Sequence, residues 1–377
     1  MKPDEVVVDE IGPRMVAYLS DPDTGLDACV VVDNTAAGVA IGGVRMDPHV
    51  DARTVVRLAR AMTWKNVAAG IPHGGAKAGI RAHPAMPVHE KERLMRSFAR
   101  AIRDVREYVP GPDIGTDERC MGWVFDEIGR AVARPRVLGG IPLDEIGATG
   151  FGLAACADAL VAAGRLSLDG ARIAVQGFGA VGRHSVRYLS ERGARLVAVS
   201  DRSGSIGDPT GIDVAALIAH KKAVGTVHGF PGSMALSAEG IIGVDCDVLI
   251  PAAQADVITS ANVQLIRASV VLQGANIPAS ADAEHSLHQR GVLCIPDFVA
   301  NAGGVICAAV EFGGGSESSA FGVIADRIAR TTRQMLDTME ELQLPPRAAA
   351  EHVAFERLSE AASYRRRGVL PGPNARA

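Results

Sequence analysis

The sequence has no cysteines spaced as C-x-x-C, no long uncharged apolar run and no strong excess of either charge. Each absence removes a class of protein. The six cysteines, at positions 29, 120, 156, 246, 294 and 307, are scattered, which reads as buried thiols in a reducing cytoplasm. No stretch reaches the about 18 predominantly apolar residues that a membrane span requires. The opening "MKPDEVVVDE" is acidic and lacks the apolar core of a signal peptide. A formal net charge of -4 carries no polyanion-binding signature, so nucleic acid is not an expected partner. No internal repeat is present. What remains, 47% hydrophobic and 22% charged over 377 residues, describes a well-packed soluble globule long enough for two domains.

Glycine is abundant instead, with 42 residues, several in pairs. The stretch "GIPHGGAKAGI" places Lys77 among neighbours too small to hide it. Taken alone, the string also fits a glycine-rich surface turn. Asp51 to Ala69 reads as a helix whose apolar stripe Val55, Leu58, Met62 continues onto Lys65. That lysine either snorkels near the helix C-terminus or points inward with a purpose.

Before Asp51 the chain reads as strands, "GLDACVVVDNT" and "AAGVAIGGVRM". A second helix is expected from Val88 to Tyr108, followed by "VPGPDIGTDE" as a structured turn. From Arg172 apolar strands alternate with helices, which indicates a parallel sheet covered on both faces. "ANVQLIRA" is read as a short helix. Ile324, Ile328, Met335, Met339 and Leu342 form a helical stripe, another helix follows Pro346, and the tail from Arg365 is expected to be loose.

"VQGFGAVG" carries G-x-G-x-x-G as Gly177, Gly179 and Gly182. It follows a strand and opens a helix, the context that turns a weak string into a dinucleotide site. The next strand ends in Asp201, where a carboxylate would meet the adenosine ribose hydroxyls and repel a 2′-phosphate. That favours NAD, with NADP left open by Arg202.

"RAMTWKNVAAGIPHGGAKAG", "GPDIGTDE", "GATGFG", "AVQGFGAVG" and "PDFVANAGGV", in this order, resemble the amino-acid dehydrogenase superfamily of glutamate, leucine, phenylalanine and valine dehydrogenases. The resemblance implies an α/β fold: an N-terminal α/β substrate domain over 1–147, a Rossmann-type NAD(P) domain over 148–300, and C-terminal helices over 301–377 returning to the first domain. It implies Lys77 as the catalytic lysine in the cleft between domains, where loss of water disfavours an ammonium. It implies Asp113 as the proton shuttle to the substrate nitrogen and Lys65 as the carboxylate holder. Gly42, Gly43, Ile41, Asn301 and Ala308 complete the implied substrate site. The implied cofactor site is Gly177, Phe178, Gly179, Ala180, Val181, Gly182, Asp201, Thr149 and Asn276. From the residues alone, Asp113 also fits an Asx-turn and Asn301 a helix cap.

The implied reaction is reversible oxidative deamination of an L-amino acid to a 2-oxo acid and ammonium, in a homo-oligomer, with no metal and no membrane. Glutamate dehydrogenases of this family place a lysine where this chain has Ile41 and a serine where it has Ala308. Neither residue here can pair a side-chain carboxylate, so a neutral branched or aromatic substrate is expected. Glutamate is the alternative, and a non-catalytic amino-acid or nucleotide sensor is a further one. "HSLH" (His285, His288) reads as a solvated helix face, and His73 receives no role.

Overall fold

The computed structural model describes residues 7–237 and 240–365, so part of the tail from Arg366 onward lies outside the described residues. The chain divides into two compact units. The first gathers residues up to Leu143 with Val305–Val323 and those from Glu351; the second holds Asp144–Gly304 and Ile324–Ala350.

In the first unit, β1 (Met15–Asp21), β2 (Leu26–Asn34) and β3 (Ala40–Met46) lead into helix α1 (Ala52–Ala68), capped by the Asp51 carboxylate on the Thr54 amide at 2.8 Å. Then come β4 (Gly74–Ile80), α2 (Val88–Ala101), β5 (Tyr108–Pro112) and α3 (Glu118–Ile128). The sheet order is β1-β2-β4-β3-β5, with β4 antiparallel to β2 and parallel to β3.

Three readings are corrected here. "GGAKAGI" is a fully buried central strand and not a surface turn. Helix α2 stops at Ala101, and the proline-bearing Tyr108–Pro112 forms edge strand β5. "ANVQLIRA" contributes only a 3-10 turn over Val263–Leu265.

Strand alternation sorts the sheet. Ala40, Val44 and Met46 of β3 and Ala76, Ala78 and Ile80 of β4 enter one core with Leu94, Phe98 and Met121. The opposite face carries Ile41, Gly43 and Arg45 on β3 and Gly75, Lys77 and Gly79 on β4. Cys29 and Val31 of β2 pack on that face against Val55 and Ala59 of α1. Arg60 fastens the helix by pairing with both Asp33 and Asp9. A Cβ on Gly75 would lie 2.1 Å from the Thr63 backbone nitrogen, so α1 approaches β4 as closely as it does only over glycine. Gly75→Ala is expected to destabilise the fold by about 3 kcal/mol, the upper end for overpacking. Chemical denaturation followed by circular dichroism should show the earlier transition; an unchanged midpoint would mean that α1 yields freely.

The second unit begins at Asp144, within α4 (Leu143–Ile146), and continues with α5 (Ala148–Ala162). The alternation then runs β6 (Arg172–Gln176), α6 (Ala180–Ser190), β7 (Arg195–Asp201), β8 (Gly204–Gly207), α7 (Val214–Val224), β9 (Met234–Leu236) and β10 (Val248–Pro251). It continues with β11 (Val270–Leu272), α8 (Ala281–Gln289), β12 (Leu293–Ile295) and α9 (Asp297–Ala300). The order is β12-β11-β10-β6-β7-β8-β9, parallel from β12 to β7 and closed by an antiparallel β8–β9 ribbon. Strand order reverses beside β6, the switch point where such sheets bind ligands at the strands' carboxyl ends. Helices α10 (Gly303–Phe312), α11 (Glu317–Leu342) and α12 (Pro346–Ser363) complete the described chain. Ile324, Ile328 and Met335 are buried as the stripe requires, whereas Leu342 is exposed. Among the described residues, no helix is long and apolar enough to cross a membrane.

Candidate functional site

Lys77 sits mid-strand in β4, 4% exposed, with its ammonium 3.1 Å from Oδ2 of Asp113. Asp113 lies just past the end of β5. Its amide donates to Thr116 Oγ1, and that hydroxyl donates to the Val44 carbonyl at 2.7 Å, so the turn is tied to β3. Arg45 supplies a second cation, its Nε 3.0 Å from the same Oδ2. Burial pushes the Asp113 carboxyl up, but the charges of Lys77 and Arg45 outweigh it and hold the group below the usual carboxylate range.

The glycine pair before Val44 leaves the room for this cluster. A Cβ on Gly43 would stand 2.7 Å from the Pro112 carbonyl oxygen, 2.8 Å from Asp113 Cβ and 3.2 Å from Lys77 Nζ. One on Gly42 would overlap the Ala76 backbone, which makes that glycine a condition for strand contact.

Lys65 is buried in the last turn of α1. Its neighbour Asn66 donates to the carbonyls of Ile41 and Gly74, stitching the helix to β3 and β4. Ile41, Val109, Val132 and Ala308 form one apolar cluster with Val39 against it. Glu311, one turn beyond Ala308, accepts from the amides of Ala133, Arg134 and Ile141 and from Arg134 Nε, and so fixes the segment that carries Val132. His73 is buried next to this wall, with Nδ1 3.1 Å from the Val39 carbonyl and its ring edge-on to Phe312. Burial lowers its pKa against the opposing effect of that carbonyl, which favours a neutral ring.

In the second unit, Gly177 adopts φ +101 against Ala253, and a Cβ on Gly182 would fall 1.9 Å from the Gly177 carbonyl oxygen. Gly179 is the N-cap of α6 with no side-chain cap, and nothing lies within 4 Å of where its Cβ would stand. Buried Phe178 and the first-turn Ala180 and Val181 complete the turn. Uncapped amides on a glycine turn fit a dinucleotide pyrophosphate. Thr149, in the first turn of α5, lies against Gly304, whose Cβ would be 2.9 Å from its hydroxyl. Asn301 closes α9; its amide donates to the carbonyls of Gly274 and Ala275 and to Asn276 Oδ1, while its own Oδ1 is buried without a partner. That orphaned acceptor also fits a ligand donor.

Asp201 ends β7, but its carboxylate is not open. Lys221 and the Val227 amide reach Oδ2, and the Ser203 amide reaches Oδ1. Burial pushes this carboxyl up and these partners bring it below its ordinary value. Sequence reading missed Lys221, Glu311, Asn66 and Arg45. Only Arg45 had a signal, its two-residue spacing from Gly43 on one strand face. His285 and His288 are exposed, and among the described residues no group of three or more His, Cys, Asp or Glu could hold a metal.

Comparison with known proteins matches residues 13–130 to the Glu/Leu/Phe/Val dehydrogenase dimerisation domain and 139–366 to Glutamate/Leucine/Phenylalanine/Valine dehydrogenase. The chain is 36% identical to a glutamate dehydrogenase of Aeropyrum pernix, over 88% of this chain and 85% of that one. It is 35% identical to an NADP-specific glutamate dehydrogenase of Saccharolobus shibatae, over 79% and 72%. It superposes with TM-score 0.86 and 30% identity on a hetero-hexameric glutamate dehydrogenase of Thermus thermophilus in a leucine-bound form, covering 95% and 91% of the chains.

Proposed function

The chain belongs to the glutamate/leucine/phenylalanine/valine dehydrogenase family and is an NAD(P)-dependent amino-acid dehydrogenase, and on that footing we propose how its residues work and on which side chain. Lys65 holds the substrate carboxylate. Asp113 takes a proton from the substrate ammonium, so that the amine lone pair is free when Cα loses hydride. When bound, the nicotinamide supplies the hydride acceptor. Lys77 then delivers water to the imine and, as general acid–base, carries the carbinolamine to 2-oxo acid and ammonium. Thr149, Asn276 and Asn301 would hold the nicotinamide side, and Gly177, Gly179 and Gly182 the pyrophosphate.

The geometry best supports a neutral branched or aromatic substrate. One observation carries this: Ile41 and Ala308 meet in an apolar cluster, none of whose side chains can pair a carboxylate. Burying such a charge unpaired costs roughly 3–5 kcal/mol. Glutamate is the second reading, and the comparisons favour it over the first, because both curated relatives and the superposed structure are named glutamate dehydrogenases. Reduced-cofactor production with leucine, valine, phenylalanine and glutamate side by side separates them, at pH about 9–10 where the α-amine sheds its proton. Turnover confined to the apolar amino acids supports the cluster reading; turnover of glutamate alone removes it.

For the cofactor we read NAD with NADP accepted. Asp201 would repel a 2′-phosphate, but Lys221 offsets its charge and exposed Arg202 adds another cation. Lys221→Met is expected to weaken NADP binding about tenfold, or 1.4 kcal/mol, with NAD binding changed less. Fluorescence titration of both nucleotides checks it; equal losses would deny Lys221 this role. The six buried, unpaired cysteines support a reducing cytoplasm, and the dimerisation-domain match supports a homo-oligomer.

A further inference from the structure

Two cations converge on a single oxygen of Asp113. Lys77 Nζ and Arg45 Nε both lie against Oδ2, at 3.1 and 3.0 Å. Among the described residues Oδ1 accepts no hydrogen bond, and it is not one of the buried atoms sealed away without a partner. The two oxygens of one carboxylate are therefore differently committed. We propose that Arg45 is a positioning residue that pins Oδ2 and so presents Oδ1 as the base for the substrate ammonium. This inference rests on the reading of Asp113 as the proton acceptor.

The surroundings leave Arg45 as the group able to do this. Asp113 has four constraints within its own unit. Its backbone is fixed by Thr116, Gly43 bounds its Cβ, and the charged groups facing its carboxylate are Lys77 from β4 and Arg45 from β3. The Tyr108 phenol also senses the Asp113 charge, but burial keeps that phenol protonated. Lys77 is an end-on point charge on a flexible stem and can follow either oxygen if the carboxylate turns. The planar guanidinium of Arg45, side chain 18% exposed, gives the directional contact that stops the turn. In the step it serves, the substrate N–H bond breaks, the proton goes to Oδ1, and the nitrogen keeps the electron pair. Arg45 transfers nothing.

The test compares wild type, Arg45→Gln, Arg45→Lys and Asp113→Asn in steady-state deamination over a range of pH, with circular dichroism as the fold control. Arg45→Gln is expected to lose about 10- to 100-fold in kcat, within the range of general-base effects, with KM for the amino acid changed less than about threefold. Its acid limb should move toward neutral pH, because one of two charges favouring the carboxylate is gone. Arg45→Lys keeps the charge without the fork, so it should restore the limb but only part of kcat. Should Arg45→Gln unfold, the divided response of Arg45→Lys still decides. Unchanged kcat and pH profile in folded Arg45→Gln, or a change in KM alone, overturns the assignment while a dead Asp113→Asn leaves the catalytic reading standing. Full activity in Asp113→Asn overturns both.

Discussion

Replacing Lys77 by alanine is expected to reduce amino-acid oxidation by at least about 10³-fold, toward the upper end of what general acid–base catalysis contributes. The residue is 4% exposed and its side chain ends 3.1 Å from Asp113 beside Gly43, so its loss should leave no equivalent acid–base group there. The fold should survive. Arg45 still neutralises Asp113, and the space left is polar enough to admit water. The proposed nucleotide site lies in the other unit, so nucleotide affinity should stay within about threefold of wild type, since no residue of the Gly177–Gly182 turn is touched. The measurement is therefore paired: turnover from reduced-cofactor absorbance, and nucleotide affinity from fluorescence. Retained turnover would end the proposed mechanism, whereas loss of both signals would mean the protein had unfolded.

Ile41→Lys should change which amino acid is used. In the present cluster with Val109, Val132 and Ala308 a lysine ammonium has no partner, and leaving a charge buried and alone costs several kcal/mol. A neutral substrate cannot repay that cost, so its kcat/KM should fall about 100-fold or more, the equivalent of roughly 3 kcal/mol. Glutamate would bring the missing carboxylate, and its kcat/KM relative to the neutral substrate should rise by at least about 10³. Adding Ala308→Ser should extend the change by supplying a hydroxyl donor to the same carboxylate. If the unmodified protein already prefers glutamate and Ile41→Lys only weakens it, the apolar cluster does not read the side chain.

Local signals carried some of this architecture. Asp51 ahead of an apolar-periodic run announced α1, and the structure puts the cap on that residue. The strand–glycine–helix order around Gly177 announced β6 and α6. In each case the determining interactions are between residues a few positions apart. The strand "GGAKAGI" was not legible, because alternation of polar and apolar side chains is what marks a strand, and glycine and alanine show none. It is a strand because β2 and β3 pair with it from both sides. The segment Tyr108–Pro112 escaped for a related reason: its prolines suit an edge, and the sheet order puts β5 at an edge.

The sequence by itself determined the family and the order of its motifs, since these are properties of residue type and spacing, and it singled out Lys77 and Asp113 for the roles proposed above. Only the tertiary structure decided that Arg45 shares Asp113 with Lys77 across 68 positions, and that Lys221 closes over Asp201. It also decided that Ala308 meets Ile41. Those contacts depend on sheet order and helix return, which bring distant side chains within ångströms of each other. No local spacing encodes that approach, because it is selected by the burial of whole faces and not by any one pair.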